Sequence, residues 1–488
     1  MTTLRAWAVY FLAAAGAVAI YLFAAAGLFR TGFPLDDAWI HQTYARNWVK
    51  TGEWAFQPGE PSAGSTSPLW SALMAGGQVL GIDPVTWSAG LGVLTLTGLA
   101  ALGAGAVRRL VPEKPGWAFW AGLVLIGEWH LVWAAGSGME TLLAGLVSAW
   151  ALVELTARRV KPFWIGLLCG IGLWLRPDAL ILLAPAAFVL AATAGGVQPA
   201  AGRLAAFATG LLLFLLPYLG LNLALSGETW PTTFYAKQAE YAAARGLPLF
   251  ERLLDQVAVP FIGVGLALLP WLLVEFVSAW RERRWGELAA FAWVGLTAAL
   301  FALRLPVTYQ HGRYMIPAVP IVLILGFAGL ARAARTGSAR FLPRVIGRAG
   351  VLLAGAVLAV FFALGARAFA SDVAVIESEM VAAARWISAN TEPDALVAAH
   401  DIGALGYYGG RRIVDLAGLV SPEVVPILRD ELALADLMDA REVDLFMTLR
   451  GWYPALEAGL PVLFETGAPF SPELGGTNLI VYEWERKN

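Results

Sequence analysis

Long apolar runs recur through the first three-quarters of the chain, and nothing else constrains its fold as much. About 20 consecutive apolar residues form a helix that spans the hydrocarbon of a bilayer. A helix is favoured there because it bonds its own backbone polar groups. Such runs are read near 6–29, 84–107, 117–134, 140–157, 162–176, 178–195, 204–225, 256–280, 287–304, 314–332 and 345–369. Charged residues make up 14% of the 488, against about 25% in a soluble domain. The pattern predicts an all-α polytopic membrane domain of about eleven transmembrane helices. The net charge of −2 gives no reason to expect a nucleic-acid partner. The one cysteine, Cys169, rules out a disulfide within the chain. The first run carries a small-residue Ala24-Ala25-Ala26 pattern but exceeds the ~7–15 residues of a signal-peptide core, so it reads as a retained anchor.

Basic residues orient these spans. Clusters stand at Arg108-Arg109 with Lys114, at Arg158-Arg159 with Lys161, at Arg281/Arg283/Arg284, and at Arg332/Arg335/Arg340/Arg344/Arg348. A cytoplasmic N-terminus and eleven spans put all four inside, provided Pro68–Gly81 is an interfacial or re-entrant helix. Residues from 370 onward then lie outside. The same topology collects Asp36, Asp37, His41, Glu140, Arg176, Asp178, Lys237, His311 and Arg313 at the outer surface. Polar residues with only local roles would not gather on one side, whereas a site would gather them.

The first outer loop, residues 30–67, is the richest of these segments. Ile40, Tyr44 and Trp48 recur every four residues, an amphipathic helix with aromatic anchors. Gly52, Pro58-Gly59 and Pro61 break it into turns. Asp36-Asp37 precedes it. The pair fits an N-cap, which accounts for one aspartate. It equally fits a general base or metal ligand at the bilayer edge, where carboxylates are costly.

The run PLDDAWIHQTYARNWVKTGEWAFQPGEPSAGSTSPLW resembles the first outer loop of the GT-C superfamily of membrane glycosyltransferases. It looks most like the branch of the mycobacterial terminal arabinofuranosyltransferases and the PMT-ArnT-like enzymes. SGMET at 137–141, LRPDAL at 175–180, WPTTFYAKQ at 230–238 and HGRYMIPAVP at 311–320 continue the likeness in order. The resemblance implies an inverting transfer of a monosaccharide from a polyprenyl-phosphate donor. The acceptor is a cell-envelope glycan, glycolipid or protein on the outer face of a bacterial cytoplasmic membrane. It also implies Asp36 as catalytic base with Asp37 in support, and Arg313, Lys237 and His311 at the donor phosphate. Glu140, Arg176, Asp178, Tyr235 and Tyr314 become acceptor or metal candidates. A divalent cation (Mg, Mn or Ca) on Asp36, Asp37 and Glu140 stays an open expectation.

Each candidate also has an ordinary reading. Glu140 complements a helix start. Arg176 and Asp178 pair at a turn. Lys237 snorkels. Arg313 anchors at the membrane surface beside Tyr314, although its fork suits a phosphate well. His311 reads better as a surface polar residue than as a base.

Charge rises to soluble frequencies in the last part of the chain. Apolar stretches at 395–399, 412–416, 443–447, 462–466 and 478–484 alternate with helical ones, predicting a small extracytoplasmic α/β domain over 371–488 after a membrane domain over 1–370. His400, Asp401 and Asp415 end strands, where residues bind ligands or cap helices. A transporter or flippase is the rival reading. It predicts internal repeats and mid-span charges, and neither stands out.

Overall fold

The computed structural model describes residues 3–334 and 341–485, so Arg335 and Arg340 of the fourth basic cluster lie outside the described residues. The first helices are α1 (Thr3–Leu28), α2 (Asp37–Thr51), α3 (Pro68–Leu80), α4 (Pro84–Leu110), α5 (Trp117–Gly127), α6 (Trp129–Gly136), α7 (Thr141–Leu155) and α8 (Pro162–Leu175). They are followed by α9 (Leu183–Ala192), α10 (Val197–Ser226), α11 (Thr232–Glu240), α12 (Leu249–Ala258), α13 (Val264–Arg281) and α14 (Trp285–Arg304). A distorted turn α15 (Tyr309–Gly312), then α16 (Val319–Ala333), α17 (Phe341–Ser378) and α18 (Met380–Asn390) complete the helical part.

Among the described residues seven helical stretches are long and apolar enough to cross a membrane, with α15–α16 and α17–α18 each counted as one, and α5 with α6 forms an eighth, bent by 56°. Three expected spans correspond to shorter apolar helices at 141–155, 162–175 and 177–192. Two expectations change. The run at 256–280 starts too early: Pro260 and Gly263 break the chain after α12, and the span begins at Val264. The run at 117–134 breaks at Glu128, whose carboxylate caps α6 by accepting from the Leu131 N–H. α3, at 13 residues, rises only about 20 Å, short of the ~30 Å hydrocarbon layer.

The two ends of the bundle differ in chemistry. Lys114 donates to the Ala334 carbonyl, Arg332 to that of Leu110, and Arg284 to buried Glu275. These groups sit at the C-terminal ends of α4, α13 and α16. Glu140 before α7, Arg176 after α8, Arg304 ending α14 and Arg313 before α16 all sit at the opposite end.

That end carries the sheet domain. α17 has 38 residues, roughly 57 Å of helix, which is enough to cross the bilayer and stand clear of it. Buried Glu379, between α17 and α18, accepts from the Leu479 N–H at 2.8 Å and the Asn478 amide at 2.9 Å. Strands β1 (Ala55–Gln57) and β2 (Glu60–Pro61) make a hairpin in the first loop. The remaining strands are β3 (Leu396–Ala399), β4 (Arg412–Asp415), β5 (Leu445–Leu449), β6 (Val462–Glu465) and β7 (Leu479–Glu483), close to the five apolar stretches read from sequence. They form one sheet in the order β4-β3-β5-β7-β6. β3 pairs in parallel with β4 and β5, and β7 runs antiparallel to β5 and β6.

Candidate active site

The two aspartates part company at the start of α2. Asp36 makes no side-chain cap bond. It is 7% exposed and its two carboxylate oxygens accept from the backbone N–H groups of Gly403 (2.6 Å) and Ala404 (2.7 Å), beyond β3. Burial, then the nearby Asp401, pushes its carboxyl up to about 7 against those two donors. The cap expectation is therefore corrected, and both Asp36 oxygens bond the sheet domain rather than line the cavity.

Asp37 lies about 100° further round the helix and faces a cavity of about 530 Å³. Its Oδ2 accepts from Arg313 Nη2 at 2.6 Å and lies 3.7 Å from Lys237 Nζ. Burial alone would raise its carboxyl, but Arg313 and then Lys237 override this and hold it well below the usual carboxylate range.

Residues from six separate segments line the cavity: Asp37 and His41 on α2, Glu140, Arg176 with Asp178, Lys237, Arg304, and Arg313 with Tyr314. Arg176 donates to Asp178 (2.9 Å) and to Glu140 (3.1 Å), which makes the expected local turn pair part of a larger network. His41 Nε2 lies 3.5 Å from Glu140, with Nδ1 2.8 Å from the Ser71 hydroxyl. The Glu140 loop is fixed by Trp70, whose indole donates to the Gly138 carbonyl at 2.8 Å. Gly138 takes a φ of +73° with the Phe33 ring packed against it, so a side chain there is both strained and crowded. Ile40, Leu180, Ile181, Phe234, Leu300 and Phe301 supply an apolar wall.

Arg313 is the pivot. It is 3% exposed, and its Nη1 has no hydrogen-bond partner among the described residues. Gln310 (φ 54°) and His311 (φ 58°) precede it in left-handed conformations that such residues rarely hold.

Three expected site residues stay outside the cavity lining: Asp36, His311 and Tyr235. His311 pairs through Nε2 with Asp372 at 2.7 Å and packs against the rings of Trp129 and Trp133. Tyr235 reaches Glu228 instead, at 3.4 Å. The sequence reading passed over Arg304, treating it as the end of a span; it lines the cavity with no ion pair among the described residues. Among the described residues no three His, Cys, Asp or Glu side chains gather as a metal site. The expected set does not fit a resident cation: Asp36 is held by backbone donors, Asp37 by Arg313 and Glu140 by Arg176.

Solved structures share this fold. The chain superposes on ArnT from Cupriavidus metallidurans bound to undecaprenyl phosphate, with TM-score 0.61, 14% identity, 97% of this chain and 98% of that one covered. The chain has the GT-C fold. The GT-C neighbours include the Archaeoglobus fulgidus oligosaccharyltransferase in its apo form, with TM-score 0.62 and 11% identity over 91% of this chain and 69% of that one. A mycobacterial arabinofuranosyltransferase, AftD, matches with TM-score 0.51 and 16% identity, and there the chain spans 97% of itself but 40% of its neighbour. Residues 362–482 match a family described as a domain of unknown function, DUF8728. No curated protein matches the chain by sequence.

Proposed function

We propose that this GT-C chain is an inverting glycosyltransferase. It moves a monosaccharide from a polyprenyl-phosphate donor to a glycan, glycolipid or protein acceptor of the cell envelope. The reaction is on the outer face of a bacterial cytoplasmic membrane, with the N-terminus cytoplasmic and the 371–488 domain outside. One observation carries the reading: a buried arginine with a free Nη1 shares a carboxylate with a lysine, in a cavity that has one charged and one apolar wall. A lipid-linked phosphate has the matching halves. ArnT was solved with undecaprenyl phosphate, and a structure of the A. fulgidus enzyme carries dolichol phosphate and an inhibitory peptide.

The chemistry follows from Asp37. The acceptor hydroxyl gives its proton to the Asp37 carboxylate as its oxygen attacks the anomeric carbon. The bond from that carbon to the phosphate oxygen breaks, and the electron pair leaves on the polyprenyl phosphate. Arg313, with Lys237 and Arg304 nearby, stabilises that charge. An aspartate held low by Arg313 is a weak base. A donor phosphate that draws on Arg313 relieves the hold, so Asp37 gains basicity only when the donor is present. Glu140 and Arg176 sit where an acceptor hydroxyl is oriented, and Tyr314 borders Arg313, whose Nη2 donates to it at 3.3 Å. One structure of the A. fulgidus enzyme carries Zn and sulfate. No step here needs a metal.

The test is incubation of the purified full chain with a panel of polyprenyl-phosphate sugars and envelope acceptors, followed by mass analysis. A sugar-sized gain on one acceptor with release of polyprenyl phosphate supports the reading. Vectorial movement of intact lipid across a vesicle bilayer, without transfer, supports a flippase instead.

A further inference from the structure

The loop after β3 does more than end a strand. Within five residues it grips two helices of the site. Gly403 and Ala404 donate their N–H groups to Asp36, the residue before Asp37 on α2. His400 Nε2 stands 3.1 Å from Glu240, the last residue of α11 and one turn beyond Lys237. Arg429, also from the sheet domain, reaches the same Glu240 oxygen at 3.3 Å. The side chains set by these two grips, Asp37 and Lys237, face each other at 3.7 Å. His400 and Glu240 are both largely buried, so the grip is charge-assisted and shielded from water. A β-carbon at Gly403 would strike the Asp36 carbonyl, so the approach requires glycine there.

We propose that loop 400–404 is a clamp by which the sheet domain sets the Asp37–Lys237 geometry, with His400 and Asp36 as positioning residues. This gives residues 362–482, which match a family described as a domain of unknown function, a task in the transfer step. It rests on reading the cavity as the transfer site. The grip itself is measurable without turnover.

The groups facing His400 are Glu240 on α11, itself near Lys237, Asp401 on its own loop, Arg429, Tyr453 with its hydroxyl 2.7 Å from Nδ1, and Asp415. Burial disfavours the charged ring, and Glu240 with Asp401 more than offsets it, so His400 titrates above its ordinary value. The clamp is therefore tightest at low pH and loosens as pH rises through the His400 pKa.

The experiment uses the full chain in lipid nanodiscs, spin-labelled at Lys50→Cys on α2 and Ala242→Cys just past α11. Both positions are exposed and away from the cavity lining. Pulsed dipolar spectroscopy gives the distance distribution for the parent, His400→Ala, His400→Gln and Gly403→Ala, at about pH 6 and about pH 9, either side of the histidine range. The clamp predicts a narrow parent distribution at low pH that broadens at high pH. His400→Ala and Gly403→Ala should be broad at both. In the transfer assay a shift of about 1 Å lowers kcat by up to roughly a hundredfold, and the donor KM rises by less than kcat falls, because Arg313 keeps its place while Lys237 shifts. Narrow distributions with parental kcat in His400→Ala and Gly403→Ala overturn the proposal. Should neither fold, His400→Gln decides: it keeps a donor toward Glu240 but cannot titrate, so broadening at high pH must shrink to the part that Asp36 contributes, and broadening equal to the parent's overturns the clamp. Broadening in a protein that transfers no sugar leaves the clamp standing and defeats the transferase reading.

Discussion

Asp37→Asn separates chemistry from binding more cleanly than any other single change. The asparagine keeps the shape and removes the proton acceptor, so kcat should fall by about 10²- to 10⁴-fold, the usual contribution of a positioned base. Binding should move the other way. Three carboxylates and four cations line the cavity, a net single positive charge that the substitution doubles. It also frees Arg313 Nη2 from a contact of 2.6 Å. A hydrogen bond to a charged group is worth about 1.5–3 kcal/mol, and every 1.4 kcal/mol is tenfold in affinity. Polyprenyl phosphate should therefore bind about ten- to a hundredfold more tightly. Single-turnover transfer with a radiolabelled donor gives the first quantity, and titration calorimetry in nanodiscs gives the second. Weaker lipid binding by Asp37→Asn, or near-normal turnover, would refute the reasoning. Asp36→Asn is the control, since it contacts Gly403 and Ala404 rather than Arg313 and should not tighten binding.

Other outcomes are equally definite. Arg313→Gln should raise the donor Kd by about ten- to a hundredfold, from loss of one charged hydrogen-bond partner, and should slow turnover as well; a change in neither speaks against its role. Glu140→Gln strips Arg176 of one buried carboxylate and should destabilise the protein by about 3 kcal/mol or more, seen as a lower melting temperature, with added loss of kcat. Asp36 binds its proton more tightly folded than unfolded. Its contribution to stability is whole below its unfolded value and is lost as pH rises through about 7. Melting temperature should thus fall over that window, and Asp36→Asn should flatten the slope. Chelation should leave turnover unchanged, because the cavity carboxylates are already matched by arginine and lysine; loss of activity with EDTA and recovery with one cation would contradict this.

Much of the fold was legible because its signals are local. The apolar runs, the prolines at the starts of α3, α4 and α8 and the apolar strands act within a few residues of themselves. Segment order carried part of the site: Asp37, Glu140, Arg176, Lys237 and Arg313 come from five recognisable motifs and meet in one cavity. Which of Asp36 and Asp37 faces the cavity was beyond the sequence. It is set by Gly403 and Ala404, more than 360 positions away, which take up the Asp36 carboxylate, and no local pattern encodes that contact. His311 misled because it neighbours Arg313, yet the left-handed backbone of Gln310 and His311 turns the ring to Asp372. Arg304 had no signal beyond ending an apolar run. His400 read only as a strand-end residue and Glu240 and Arg429 carried no signal, because their pairing exists only once the sheet domain is docked.

The transfer mechanism requires Asp37 and Arg313 to share one lipid-phosphate cavity. A cryo-electron microscopy structure of the full chain with polyprenyl phosphate tests this directly. The phosphate should lie within hydrogen-bond distance of Arg313 Nη1, on the side that carries the sheet domain, with its tail along Leu180, Ile181 and Leu300. A phosphate held at the opposite, lysine- and arginine-rich end of the bundle, or out of reach of Arg313, would contradict it.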